Sequence, residues 1–183
     1  MIVILSEERS MSETLTTLFD RHYPKQVEGI DWQIIHFSGK ADLEQNFVRK
    51  MRGWNHLAPH FIILRDNDGA NCQDLKQRLA QRATTTGKPH HIRLVCQELE
   101  SWFLGDLIAI EAAYPKSRAT TFSGTAKFRN PDKLTNASHE LLKLTSVSGK
   151  TSRATTIARH LDPTRNRSQS FKVLLRTLDS LFT

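Results

Sequence analysis

The chain predicts an α/β fold: a mainly parallel four-stranded sheet flanked by helices, closed by a basic helical C-terminal extension. Short apolar runs at Ile2 to Leu5, Trp32 to Phe37, Phe61 to Leu64 and Ile92 to Cys96 read as strands. Phe61 to Leu64 has no polar alternation, the mark of a strand buried on both faces. Helical stripes separate these runs, and strand–helix alternation builds a parallel sheet covered on both sides. After Tyr114-Pro115 the pattern changes to a Ser/Thr/Lys/Arg-rich loop and then helices only.

Along the first half, Ser6, Glu7 and Glu8 end the first strand, and Ser10 with Glu13 predicts a capping box for a helix carrying Leu15, Leu18 and Phe19. Pro24 closes that segment. Gly39 and Lys40 open a second helix, with Leu43, Phe47, Val48 and Met51 on one face, ending near Gly53. Asn71 is the expected N-cap of a third, Asn71–Ala83, followed by the turn TTTGKP. The segment Glu98 to Ala113 is apolar at helical spacing and predicts one helix on the sheet. Further helices are expected near 133–144, 152–161 and 168–182.

At 183 residues the chain is expected to form one domain, with an α/β core over 1–115 and a basic helical extension over 116–183 packed on it. Hydrophobic residues at 38% and charged residues at 25% are ordinary for a soluble chain, and no apolar run approaches the ~20 residues of a membrane span. The N-terminus lacks the basic region of a signal peptide, so the expected location is the cytoplasm. Cys72 and Cys96 form no CxxC pair, which argues against a disulfide framework or a zinc knuckle.

The net charge of +7 is unevenly placed. Residues 1–115 hold 13 Lys/Arg against 15 Asp/Glu, whereas 116–172 hold 12 against 3. The basic excess therefore belongs to the C-terminal third, and basic surfaces attract phosphate backbones. Lys127, Arg129, Lys150, Arg153, Arg165 and Arg167 are the candidate contacts, with Lys150 and Arg153 read as exposed cations. Phe122, Phe128 and Phe171 lie among them; such aromatics can stack on bases, but anchoring a loose segment in the core is the favoured reading.

The acids point elsewhere. RDNDG follows the third strand, so Asp66 and Asp68 stand two residues apart at the strand's carboxyl end, where α/β folds place their chemistry. Two carboxylates a few ångströms apart repel by roughly 4 kcal/mol at an effective dielectric of ~20. A hard divalent cation with oxygen ligands relieves that repulsion. The carboxyl ends of the first and third strands share one rim, which brings Glu7 and Glu8 toward the aspartates, and Glu98 and Glu100 follow the fourth strand to the same rim. Two tempting motifs fail. Counted from Asp66, the twelfth position of a calcium loop is Gln77 rather than Glu, and the Walker A position five before Gly149 is Leu144 rather than Gly. His36 and His160 have no partner visible in the sequence.

SEERSM after the first strand resembles the glutamate motif of Toprim domains, and RDND resembles their DxD motif. More closely, LSEERSM, FSGKADLE, FIILRDNDGANCQDLK, QELESWFLGDL, FRNPDKL and RNRSQSF resemble, in order, the bacterial domain-of-unknown-function family numbered 4276, whose members are considered Toprim-like. The resemblance implies a Toprim/Rossmann-like core and a Mg²⁺- or Mn²⁺-dependent nuclease acting on DNA or RNA. It also implies the context of the overcoming-lysogenization-defect nucleases, which accompany an ATPase partner in phage defence. Carried over, Glu7 is the motif glutamate, acting as general acid/base or metal partner, and Asp66 and Asp68 are the metal pair. Glu8 is a second candidate for moving the proton. Glu98 and Glu100 match the family's ELEaW-like motif, as metal ligands or as anchors of the following helix. Two departures stand in the first motif: Glu8 replaces a common glycine or serine, and Arg9 a common proline. The alternative function is a Toprim-like module that binds nucleic acid or a partner without cutting. The sequence leaves monomer and homodimer both open.

Overall fold

The computed structural model describes residues 1–56 and 58–183. Four parallel strands, β1 (Ile2–Ser6), β2 (Trp32–His36), β3 (His60–Asp66) and β4 (His90–Val95), form one sheet in the order β2-β1-β3-β4. The order reverses at β1, so the carboxyl ends of β1 and β3 lie side by side, with Leu5 opposite Ile63 and Ser6 opposite Leu64. Asp66, the last residue of β3, pairs with Val95.

The two central strands, β1 and β3, are buried on both faces because each face has a helical cover, whereas the edge strands β2 and β4 are only partly buried. Val3, Leu5, Phe61, Ile63 and Ile92 pack against Leu43, Phe47 and Met51 of α2 (Lys40–Arg52) and Leu75 and Leu79 of α3 (Cys72–Thr84). Ile2, Ile4, Ile62, Leu64 and Val95 share the opposite core with α1 (Arg9–His22) and with the helices that follow the sheet. Those are α4 (Glu100–Leu104), α5 (Leu107–Ala113), α6 (Ala137–Thr145), α7 (Lys150–Ala158) and α8 (Gln169–Phe182). The basic third thus supplies Leu141, Ile157, Phe171 and Leu174 to the same core as β1. Arg21 of α1 ties the two parts further by donating to the carbonyls of Ala158 and Leu161.

Asn71 caps α3 as expected, its side chain accepting from Gln73 N and Asp74 N. Ser168 does the same for α8 by accepting from Phe171 N. Two local expectations need correction. Ser10 does not cap α1: Glu7 N still bonds Leu64 O as a continuation of the ladder, and the helix starts at Arg9, leaving Ser10 buried in its first turn. Its hydroxyl donates to Glu8 Oε1 at 2.5 Å instead. The helix expected over 98–113 is broken at Gly105-Asp106, where Asp106 starts α5 by accepting from Ala109 N. Gly105 is needed because a Cβ there would stand 2.3 Å from Asn166 Oδ1 and 2.9 Å from Ser168 N.

Candidate active site

The turn between β1 and α1 is two residues long, so Glu7 and Glu8 are fixed between a buried strand and a buried helix. Glu7 Oε2 accepts a 3.0 Å hydrogen bond from Asp66 N, and Arg65 Nε lies 3.8 Å from the same oxygen. The expected convergence of the first and third strand ends is therefore direct. Burial raises the Glu7 carboxyl above its ordinary range; the Asp66 amide and Arg65 oppose the shift, and the Asp68 and Glu8 carboxylates add to it.

Asp66 and Glu100 are the buried acids of the rim, 5% and 1% exposed. Burial, then the carboxylates of Glu7, Glu8 and Glu100, push the Asp66 carboxyl well above the ordinary range, with Lys150 pulling the other way. Glu100, at the start of α4, is raised by burial as well, and again Lys150 opposes. One oxygen of each, Asp66 Oδ1 and Glu100 Oε2, is buried with no hydrogen-bond partner among the described residues. Buried carboxylate oxygens are normally satisfied, and leaving one bare costs roughly 1–3 kcal/mol.

Asp68 faces a different set of groups. It sits at a positive φ of 48° and is more exposed, with Oδ2 3.0 Å from Lys40 Nζ and 3.4 Å from Arg65 Nη2. Arg65 is itself buried and also pairs with Glu44 of α2, which holds Arg78 and Arg82 on its other side. Glu98 is occupied, its Oε2 accepting from Ser138 N at 2.8 Å. Among the described residues no three carboxylate, imidazole or thiol groups already converge as a set of metal ligands.

The cations of the C-terminal third divide sharply. Lys150, at the start of α7, reaches the acid cluster and lies 2.6 Å from Glu8 Oε1. Burial alone draws its ammonium down, but Glu8, Glu100 and Asp66 outweigh that and leave it raised. Arg153, one turn later, is not the exposed cation expected. It is 3% exposed, donates to Val147 O and has Nη2 3.7 Å from Glu100 Oε1. Packing α7 against α1 turns that face of the helix inward. The remaining candidates lie away from the acids. Lys127 pairs with Glu140, Arg165 with Asp106 and Asp162, and Arg167 donates to Ser123 O, while Arg129 is exposed. Of the aromatics, Phe128 and Phe171 are core residues and Phe122 is 40% exposed.

A groove of about 550 Å³ opens beside the cluster, between α6 and α7, lined by Glu98, Asn136, Ser138, His139, Lys150 and Arg153. Sequence reading assigns no role to Arg65, Glu44 or Lys40, although Arg65 lies inside the RDND stretch and Lys40 and Glu44 inside FSGKADLE. The signal available for Arg65 was a cation placed next to two acids at a strand end.

A family model described as "Domain of unknown function (DUF4276)" matches residues 6–179. A comparison with curated protein sequences returns no match. Among solved structures, the C-terminal region of the Burkholderia pseudomallei OLD protein is similar to this chain, with a TM-score of 0.51 and 18% identity over 98% of each chain.

Proposed function

Since the chain belongs to the domain-of-unknown-function family 4276 and has its Toprim-like α/β fold, we propose that it is a Mg²⁺- or Mn²⁺-dependent nuclease that hydrolyses phosphodiester bonds of DNA or RNA. The observation that carries this reading is the pair of bare, buried carboxylate oxygens, Asp66 Oδ1 and Glu100 Oε2, at a rim that also holds Glu7. Oxygen-only donors with raised carboxyl pKa values fit a hard divalent cation, which neutralises what burial and mutual repulsion penalise. Glu7, Asp66 and Glu100 are the residues that would hold it, with Asp68 reached by breaking its contacts to Lys40 and Arg65.

A bound metal ion of this kind supplies Lewis-acid stabilisation of the phosphate charge and lowers the pKa of an attacking water. The protein's own residues do the rest. Glu8 is the more exposed of the two strand-end glutamates and accepts the proton as the nucleophile attacks. Lys150 lies within reach of the phosphate oxygens once it leaves Glu8, and Arg153 stiffens Glu100 from behind. The groove between α6 and α7 leads the strand to the cluster, and exposed cations such as Arg129 hold the backbone further out. In this reading the protein works beside an ATPase partner in phage defence, a setting carried over from the resemblance set out above.

A second reading, a module that binds nucleic acid or a protein partner without cutting, is favoured by one observation. Lys150 already gives the acid cluster a counter-charge through Glu8. One experiment separates the two. With Mn²⁺ and a panel of single- and double-stranded DNA and RNA, the wild type is expected to cut at least one substrate, and EDTA to stop it. Glu7→Gln and Asp66→Asn should each abolish cutting while binding survives. Undiminished cutting by Asp66→Asn would overturn the proposed site; binding without cutting by wild type, alone or with an ATPase partner, would establish the second reading.

A further inference from the structure

Cys72 and Cys96 stand 24 residues apart in the chain, yet Asn67 bonds Cys72 directly and both chain neighbours of Cys96, Val95 and Gln97. Asn67 N bonds Val95 O, and Asn67 Oδ1 accepts from Gln97 N, so this residue is pinned beside the end of β4 that carries Cys96. Its Nδ2 donates to Ala70 O and, at 3.2 Å, to Cys72 Sγ. The polar neighbours of the Cys96 thiol are Cys72, Asp132 and Ser170. Both cysteines are free and half-buried, which leaves a small oxidant access to them. Cys72 is the first residue of α3, and Cys96 immediately follows β4.

We propose that Cys72 and Cys96 are a reversible oxidation site, closing to an intramolecular disulfide when a hydroperoxide is present. The Cys72 sulfur attacks the peroxide O–O bond, gaining one oxygen as a sulfenic acid while the other leaves as water or alcohol. The Cys96 sulfur then attacks the sulfenic sulfur, the S–S bond forms, and the hydroxyl departs with the Cys96 proton as a second water. Two thiols are oxidised and one peroxide is reduced. Burial, with Asp132 and Cys72 beside it, pushes the Cys96 thiol up to about 11, so Cys96 is protonated at pH 7.5 and enters second. Closure ties the first turn of α3 to the end of β4 across the turn that carries Asp66 and Asp68. This inference is independent of the nuclease reading, since the chemistry requires neither metal nor substrate.

The test uses the full chain treated with hydrogen peroxide at pH 7.5, then unfolded and alkylated with iodoacetamide. Intact mass should show the loss of two hydrogens and no alkylated cysteine, and proteolysis should yield the linked Cys72 and Cys96 peptides. Dithiothreitol should restore two alkylatable thiols. Cys72→Ser should give no linked peptide. Two thiols still alkylatable after peroxide, oxidation of each separately to sulfinic acid, or a disulfide found only between two chains would each overturn the proposal. The wild-type result alone decides the matter if a serine variant fails to fold.

Discussion

The ammonium of Lys150 lies 2.6 Å from Glu8 Oε1, although 142 residues separate the two in the chain. The contact joins the first residue of α7 to the turn after β1, and it places a cation among acids that otherwise repel. Lys150→Met should therefore destabilise the metal-free protein at neutral pH. The lysine is partly exposed, so after solvent screening the expected loss is about 0.5–1 kcal/mol. Asp66→Asn in the same chain should remove part of that loss, because neighbours in one charge cluster are not additive. Urea denaturation of the four proteins in the cycle measures this; strict additivity would show that Lys150 does not act on the buried acids.

Asp66 should make metal-free stability depend on pH in a definite direction. Its native carboxyl is held well above the ordinary 3.8, chiefly by burial, so above that value the native state binds more protons than the unfolded state. Stability then falls as pH rises from the ordinary carboxylate range toward the raised native value. His22, His60 and His91, lowered mainly by burial, act oppositely below 6.5, so wild type is best compared with Asp66→Asn. The variant should be more stable than wild type at pH 8, by on the order of 1 kcal/mol, with the gap closing as pH falls. Thermal melts without divalent metal read the effect. Millimolar Mn²⁺ should raise the wild-type Tm and leave the variant nearly unmoved.

Gly105→Ala should cost about 2 kcal/mol, because overpacking a fixed contact forces backbone shifts. The carboxamide it would strike is held on both sides: Asn166 Nδ2 donates to Trp102 O, and its Oδ1 accepts from Ser168 N. Gly105 O also accepts from Arg167 N. A urea midpoint close to wild type would mean that the 166–168 segment can give way.

Binding of single-stranded nucleic acid should weaken with salt, at a log–log slope of about −0.7 per phosphate contacted. Arg129→Glu should flatten that slope by about 0.7 or more, since Arg129 is exposed on the basic side. Lys127→Ala should flatten it less, because Lys127 is already paired with Glu140. Fluorescence anisotropy across a salt series gives both slopes. Equal effects from the two variants would show that pairing within the protein does not decide which cations meet phosphate.

Strand identity was legible because a strand buried on both faces must be apolar at every position, as Phe61 to Leu64 are. So was the cap at Asn71, where a short amide side chain meets a following apolar stripe. The meeting of Glu7 with Asp66 followed from strand order, since parallel neighbours end on one rim. The cap that restarts the helix at Asp106 is local, but the need for glycine at 105 was not legible, because it comes from Asn166, some sixty residues away, standing where a Cβ would be.

Local pattern and composition are enough to specify the sheet, its acidic strand ends and the segregation of basic residues into the last third. Tertiary structure alone decided which charges meet. It turned Asp68 toward Lys40 and Arg65, buried Arg153 behind Glu100, and set Lys150 among the acids while Lys127 and Arg165 found partners elsewhere. The reason is physical: a charge's partner is fixed by the packing of α7 on α1 and of α2 beside β3. That packing is a sum of apolar contacts spread over the whole chain, and it leaves no local mark on the charged residues themselves.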